Sequence, residues 1–401
     1  MIDRLNKAFG LVAESNIPRL SCWYLDTPAV IPPKRYAEFH QIQRIIYMAI
    51  HYYIEHYHLY RDIVPQTDFV ENLLKVCAPY TYRPGTYRPD FLLDGSGAIK
   101  ICEIGARFPL NGYFLSGIAE MIGRRRFGYL PHNKESQYAR FLSYLFAYWG
   151  EEFDTICVLK GADRPGDIKF YVPMFENMGI KVVVLSPSAL LQNKNLLHKS
   201  AVINELNQME IEGLPVDIIE AIAASNSLND LRSIFLIHDK RFMALMSNTE
   251  FLSAFLTQDQ IKILNRTMIP TFTYFQDSDT WAQARTNKDE WILKHRLLGK
   301  SEKVYAGCYC SAREWADIFN SSEIADMVLQ PFIKQRRISS SIGDKKYDDY
   351  AVGTLLCFDN YFFGPGIFRT SSCEITNRVD DRKMAPCIID SDEVNSDYFY
   401  V

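Results

Sequence analysis

The sequence predicts a mixed α/β and α+β protein, and three stretches carry that reading. Residues 155–187, TICVLKGADRPGDIKFYVPMFENMGIKVVVLSP, read as strand, loop, helix, strand. That order is a βαβ unit, which requires a parallel sheet. Residues 87–113, YRPDFLLDGSGAIKICEIGARFPLNGY, read as a β-hairpin turned at Asp94–Gly97. Residues 291–315, WILKHRLLGKSEKVYAGCYCSAREW, give a strand, a glycine loop, a returning strand and a helix opened by Ser311. A chain of 401 residues calls for two or three domains.

Taken in order, the chain begins amphipathic and turns irregular by residue 30. Lys34 to Tyr60 reads as one long helix, with Phe39, Ile42, Ile46, Ile50 and Ile54 recurring at three and four. The histidines His40, His51, His56 and His58 do not share the one clean face of a metal-binding helix and read as half-buried or solvated. A short helix follows near Asp68–Val76. In the hairpin, alternation puts Ile99, Ile101 and Glu103 on one face and Lys100, Cys102 and Ile104 on the other. The turn brings Asp90 and Glu103 to the same end, beside Arg88 and Arg107. Two such carboxylates suit Mg²⁺ bridging a polyphosphate. The competing reading is a surface hairpin whose acids pair with its arginines.

Helices are expected from Asn111 to Phe127, ending in three arginines, and over Gln137–Trp149. The βαβ unit follows, its helix drawn over Pro165–Met178. Its loop KGADRPGD lacks a dinucleotide fingerprint. AVINEL reads as a strand ending at Asn204 and Glu205, and SIFLIHDKR as a strong strand ending at Asp239 and Lys240. Polar residues at the carboxyl ends of parallel strands face the crevice where such sheets bind ligands. Residues 241–270 read as helical. Strands are then expected up to Lys294, at VYAGC, at Asp326–Phe332, and as a pair around the turn FDN that ends at Arg369. The C-terminal tail is acidic and reads as loose.

Composition narrows the function. Hydrophobic residues make up 48% and charged residues 23%, with a net charge of −4. Neither nucleic acid nor an anionic membrane is called for. The nine scattered cysteines, an odd number without a CxxC, read as reduced thiols. No apolar run reaches the length of a membrane span and no signal layout opens the chain. A cytoplasmic protein is expected.

Five segments together resemble the ATP-grasp superfamily, in the circularly permuted group related to glutathionylspermidine synthases. RPDFLLDGSGAIKICEIGARFPLNGY resembles its metal-binding hairpin. HDKR resembles the segment of the first ATP lysine. WILKHRLLGKSEKVYAG resembles that of the second lysine and the glycine loop. VLQPFI resembles the hinge strand of the adenine pocket, and FGPGIFRTSSCEITN a late strand carrying a phosphate-contacting arginine. The acidic hairpin comes first here and last in unpermuted members. The resemblance implies an ATP-grasp fold with a Rossmann-like pre-ATP-grasp sheet. Residues 1–135 would be helices plus the hairpin, 136–237 the βαβ domain, and 238–401 the ATP-binding subdomains.

It also implies ATP and Mg²⁺ as cofactors. Lys240 and Lys294 would hold phosphates, with Gly299, Lys300 and Ser301 folding over them. Leu329, Gln330 and Phe332 would line the adenine site. Arg369 would face the γ-phosphate or an acyl-phosphate, and Arg88 and Arg107 phosphates or a substrate carboxylate. Asp90 and Glu103 would hold the metal. The family expects asparagine two residues after the glutamate, where this chain has Gly105, so Asn111 or Asn377 would substitute, or one magnesium would be held by fewer protein groups and more water. The activity implied is an ATP-dependent carboxylate–amine ligase acting on small molecules such as an amino acid, peptide or polyamine, often as a dimer. A phosphoryl-transfer enzyme and a nucleotide-binding pseudoenzyme are the alternatives.

Overall fold

The computed structural model describes residues 2–127, 136–150, 153–164, 166–389 and 398–401. Four sheets form among them. The βαβ unit builds a parallel sheet in the order Lys181–Leu185, Thr155–Leu159, Ala201–Asn204, Asn226–Leu228. The inner strands are runs of Ile, Val, Cys and Leu, nearly all buried, as strands covered on both faces must be. Helix Ile168–Asn177 returns the chain across the sheet; Pro165, from which it was drawn, lies outside the described residues. Asn204 and Glu205 end the third strand at the sheet's carboxyl edge.

The hairpin, Thr86–Leu93 with Ile99–Gly105, joins a larger antiparallel sheet. Its neighbour is the long strand Lys345–Phe358, followed by Phe368–Ser371 and Lys383–Ala385. A segment from the first quarter of the chain is thus completed by strands from the last. Helix Pro33–His56 starts with proline at its first position, where the missing N–H costs nothing. It buries Phe39, Ile42, Ile46 and Tyr53 against one face of this sheet. The Phe39 and Phe91 rings sit 5.0 Å apart.

A third sheet orders Val304–Ala306, Trp291–His295, Met327–Pro331 and Phe272–Thr273, all antiparallel. It packs its own small core of Trp281, Leu293, Trp315, Met327 and Leu329. Both indoles find carbonyls, Trp281 that of Thr273 and Trp315 that of Ala284, each at 2.9 Å. The fourth sheet sets Ala29–Ile31 between Cys387–Ile389 and Phe399–Tyr400, both parallel to it. No helix among the described residues is long and apolar enough to cross a membrane.

Two expectations are corrected. SIFLI is a π-helical turn, Ser233–Ile237, and not a strand. Its five residues are all buried, and a short run apolar on every side satisfies a buried helix as well as a buried strand. The alternation in AIKICEI also breaks. Asp90 pairs with Glu103 but Phe91 pairs with Ile101, leaving Cys102 as the extra residue of a β-bulge. The bulge shifts the phase by one residue. Glu103 therefore leaves the face of Ile99 and Ile101, and Ile104 takes its place in the core. The acidic end of the C-terminal tail lies largely outside the described residues.

Gly353 of the long strand lies against Phe91 and Phe368, and a Cβ there would come 2.2 Å from Phe91 Cζ. Gly353→Ala is expected to destabilise the protein by about 1–3 kcal/mol through overpacking, read as a lower urea midpoint.

Candidate active site

The face of the hairpin turned away from the long helix carries the charge. The bulge puts Glu103 opposite Asp90, and Arg88, two residues before Asp90, points the same way. Val352 pairs with both Leu92 and Arg369, so Arg369 shares this face. Arg369 Nη2 donates to Asp90 Oδ2 at 2.5 Å, and Thr354 Oγ1 to Asp90 Oδ1 at 2.9 Å. Asp90 is only 4% exposed. Burial pushes its carboxyl up, but Arg369 and Arg88 outweigh it and hold the group below the ordinary range.

The bulge also links this sheet to the one bearing Lys294. Lys294 Nζ donates to the Cys102 carbonyl at 3.2 Å, and Gln330 Nε2 to the same oxygen at 3.4 Å. Gln330 Nε2 also reaches Thr271 Oγ1 at 2.8 Å. Gln330 thus points into the junction, while Leu329 is strand-paired on both sides and Phe332 is half-buried. Lys240 follows the π-turn. Its backbone N–H donates to Arg296 O at 2.9 Å and its ammonium to Leu298 O at 2.5 Å. Glu103 Oε2 stands 3.9 Å from that ammonium. Burial pulls the Lys240 pKa down, with Glu103 opposing.

The next residue back anchors this lysine. Asp239 is 1% exposed and binds Arg241 and Arg296, each at 2.7 Å. Against burial, Arg241 and Arg296 lower its pKa from 3.8 to about 2. The loop after Lys294 holds Gly299 in open space. Lys300, Ser301 and Lys303 there adopt φ of 55°, 61° and 48°, a left-handed conformation that non-glycine residues take at a cost.

Arg88, Arg107 and Asn111 turn towards the parallel sheet. Arg88 Nη1 donates to Asn111 O at 2.8 Å. Arg107 Nη2 meets Asp163 Oδ2 at 3.2 Å. Buried Asp167 accepts from the Gly112 and Leu115 N–H groups, both at 3.0 Å, at the start of helix Tyr113–Phe127. That contact ties the two sheets together; burial raises the Asp167 carboxyl to about 6. The charged groups therefore fall into two sets. One holds Asp90, Glu103, Lys240, Lys294 and Arg369; the other holds Arg107 with Asp163 and Glu205.

Two carboxylates on paired positions of one face fit a Mg²⁺ that takes its remaining oxygens from phosphate and water. Glu103 is the more open, at 35% exposure. Asn111 does not join them: a Cβ on Gly166 would lie 2.6 Å from its Oδ1, so its amide faces that loop. Asn377 accepts from Arg382 instead. At Gly105 a Cβ would stand 3.7 Å from Arg88 Nη2, so a cation lines the place where the sequence resemblance expects a third ligand. Among the described residues no group of three His, Cys, Asp or Glu side chains is arranged for a metal.

Sequence reasoning missed Arg296, Thr354, His238 and Asp163 as partners and named Asp239 only as the polar end of a strand. HDKR already showed Asp239 and Arg241 beside Lys240, and a buried acid flanked by arginine is a readable signal. Thr354 and Arg296 had none, because only strand pairing and chain reversal bring them in.

Residues 42–236 match the family model described as AnkG N-terminal domain. The ATP-grasp enzyme ankG of Aspergillus thermomutatus is 22% identical over 438 residues, covering 90% of this chain and 88% of that protein. A glutathione synthetase-like effector (GSS30) from Globodera pallida, solved in its apoform, superposes with a TM-score of 0.58 at 12% identity. That match covers 97% of this chain and 96% of the effector. The chain shares the effector's fold and is similar in sequence to an ATP-grasp enzyme.

Asp239→Asn would leave the buried Arg241 without its counter-charge and Arg296 with Asp326 alone. A loss of about 3–5 kcal/mol is expected on chemical denaturation. In the wild type the lowered Asp239 pKa stabilises the fold fully above about pH 4, and that share is lost as pH falls through about 2. Denaturation of both proteins between pH 2 and 5 should show the gap between them narrowing at the acid end.

Proposed function

We propose that this protein is an ATP-dependent carboxylate–amine ligase of circularly permuted ATP-grasp type, forming an amide or peptide bond. The observation that carries the reading is the convergence at Cys102. Two buried lysines from separate segments, Lys240 and Lys294, are brought to the charged face of a hairpin whose Asp90 and Glu103 lie opposite each other. The fold shared with a glutathione synthetase-like effector and the similarity to an ATP-grasp enzyme support it.

In this reading a substrate carboxylate oxygen attacks the γ-phosphorus of ATP. The bond to the bridging oxygen breaks, ADP leaves, and an acyl-phosphate forms. An amine nitrogen then attacks the acyl carbon, phosphate departs with the C–O bonding electrons, and the amine proton passes to solvent or a nearby base. Such chemistry needs charge neutralisation and positioning more than a side-chain nucleophile. Lys240 and Lys294 supply fixed positive charge for the phosphates. Arg369, already paired with Asp90, faces the transferred phosphoryl group. The Gly299–Ser301 loop closes over the nucleotide and excludes water, and the Gln330–Phe332 backbone borders the adenine. Asp90 and Glu103 would hold Mg²⁺, which neutralises phosphate charge when bound. All nine cysteines are free thiols, which suits a reducing cytoplasm; a homodimer is part of the same proposal.

A second reading, a nucleotide-binding protein without turnover, is favoured by two observations. Arg88 stands where the third metal ligand would come from, and Arg369 already engages Asp90.

Lys294→Ala is expected to weaken binding of a non-hydrolysable ATP analogue about ten- to a hundredfold, the worth of one to two charge-assisted hydrogen bonds. Calorimetry reads this, and wild-type affinity in the variant would misplace the nucleotide. Glu103→Gln should abolish ADP release while metal-free analogue binding stays close to wild type; normal turnover would remove the hairpin from the chemistry.

A further inference from the structure

One edge of the parallel sheet is left open. Its outer strand, Lys181–Leu185, pairs with Thr155–Leu159 alone, in parallel and without a bulge. The Lys181 N–H donates to Asp154 O at 3.3 Å, and the Lys160 N–H to Leu185 O at 2.9 Å. Main-chain groups alternate in direction along a strand. Lys181, Val183 and Leu185 therefore use theirs on the inner neighbour, and the N–H and C=O of Val182 and Val184 point outward. No hydrogen bond from the described residues reaches those outward groups. Val184 is 54% exposed, and Leu191, on the helix that follows the strand, is 49% exposed.

An open edge of this kind is a template for another strand, and folded chains ordinarily blunt it with proline, a bulge, charge or a covering segment. Here the run is KVVVL, whose one charge sits at its first residue. The outer strand of the hairpin shows the contrast. Along its free side the Ile269 N–H donates to Ile101 O at 3.1 Å, and Lys100 Nζ to Arg266 O at 2.8 Å. The far edge of the parallel sheet is the three-residue strand Asn226–Leu228. Two helices brace the open strand from opposite faces. Val182 packs into the core that holds Phe170 and Phe175 of helix Ile168–Asn177. Val183 and Leu185 pack into the core that holds Leu190 of helix Pro187–Asn193. The edge is thus held as a strand before any partner arrives.

We propose that the partner is a second copy of this chain, its own Lys181–Leu185 strand laid antiparallel to this one across a two-fold axis at Val183. In that register Val182 stands opposite Val184 of the partner subunit, and each N–H meets the other's C=O. The two-fold repeats the exchange between Val184 and the partner subunit's Val182. Every outward group is then used, which is the self-complementarity a two-fold interface demands. A strand slipped by one residue would set these groups against ones that point inward. The charges agree with the same arrangement. Lys181 lies two residues from the axis in each copy, so the two lysines stand about 13 Å apart at about 3.4 Å per residue. That exceeds the screening length of about 8 Å in physiological salt, and each lysine faces a leucine. A stable dimer buries about 1,200 Å² or more in total. The bracing helices, with the exposed Leu191, meet their counterparts and carry the contact beyond the strand, and the two four-stranded sheets become one. None of this rests on the ligase reading.

The test is light scattering on the size-separated full chain over a range of concentrations, joined to hydrogen exchange resolved at single amides. The wild type should run at twice the chain mass. Its Val182 and Val184 amides should be protected in step with the dimer fraction. Val184→Pro removes an N–H that no group of its own chain accepts, so the fold should survive, as proline is tolerated on the open side of an edge strand. Association should weaken about ten- to a hundredfold, the worth of two backbone hydrogen bonds per dimer. Val184→Lys, at an exposed position, puts a charge into the seam and should also weaken association, with the urea midpoint unchanged. A monomer at every concentration overturns the proposal. So does a dimer that keeps its affinity in both folded variants, or one whose Val182 and Val184 amides exchange freely, because the copies then meet elsewhere. ATP turnover enters none of these readouts, so their failure leaves the ligase reading standing.

Discussion

The carbonyl of Cys102 is the point on which the rest of the site depends. It exists as a free acceptor because one residue of the hairpin bulges out of register. Lys294 and Gln330, from another sheet, both donate to it. The same bulge turns Glu103 from the core side to the side of Asp90. One extra residue therefore aims an acid and docks a lysine-bearing sheet together, and without it the two halves of the charged face would not meet.

Around that junction the protein keeps its charges buried but paired. Asp239 with Arg241 and Arg296, and Asp90 with Arg369 and Thr354, are networks in which nearly every oxygen is used. Buried ion pairs gain little net stability, since desolvation offsets their attraction. Their value here is position: they fix Lys240 and the hairpin face where a flexible surface pair could not.

Much of the element pattern was legible. The long helix, helix Gln137–Trp149, the βαβ unit, both strands around the glycine loop and the Ser311 cap follow from periodicity, glycine stops and capping chemistry, all local effects. The strand assigned to SIFLI failed because a short apolar run does not distinguish a buried strand from a buried helical turn. The face assigned to Glu103 failed because a bulge leaves no mark in an alternating sequence. The three-stranded sheet that brackets Ala29–Ile31 was invisible, since its partners come from the far end of the chain.

By itself the sequence determined that this is a mixed α and β protein with one parallel unit, which acids, lysines and arginines were available, and roughly where each lay along its element. Those properties depend on neighbours a few residues apart. Only the tertiary structure decided that Asp90 faces Glu103, that Arg369 neutralises Asp90, that Asn111 turns away from both, and that Arg107 pairs with Asp163. Each of those depends on strand register or on contacts between separate segments, and a single bulge is enough to change the answer.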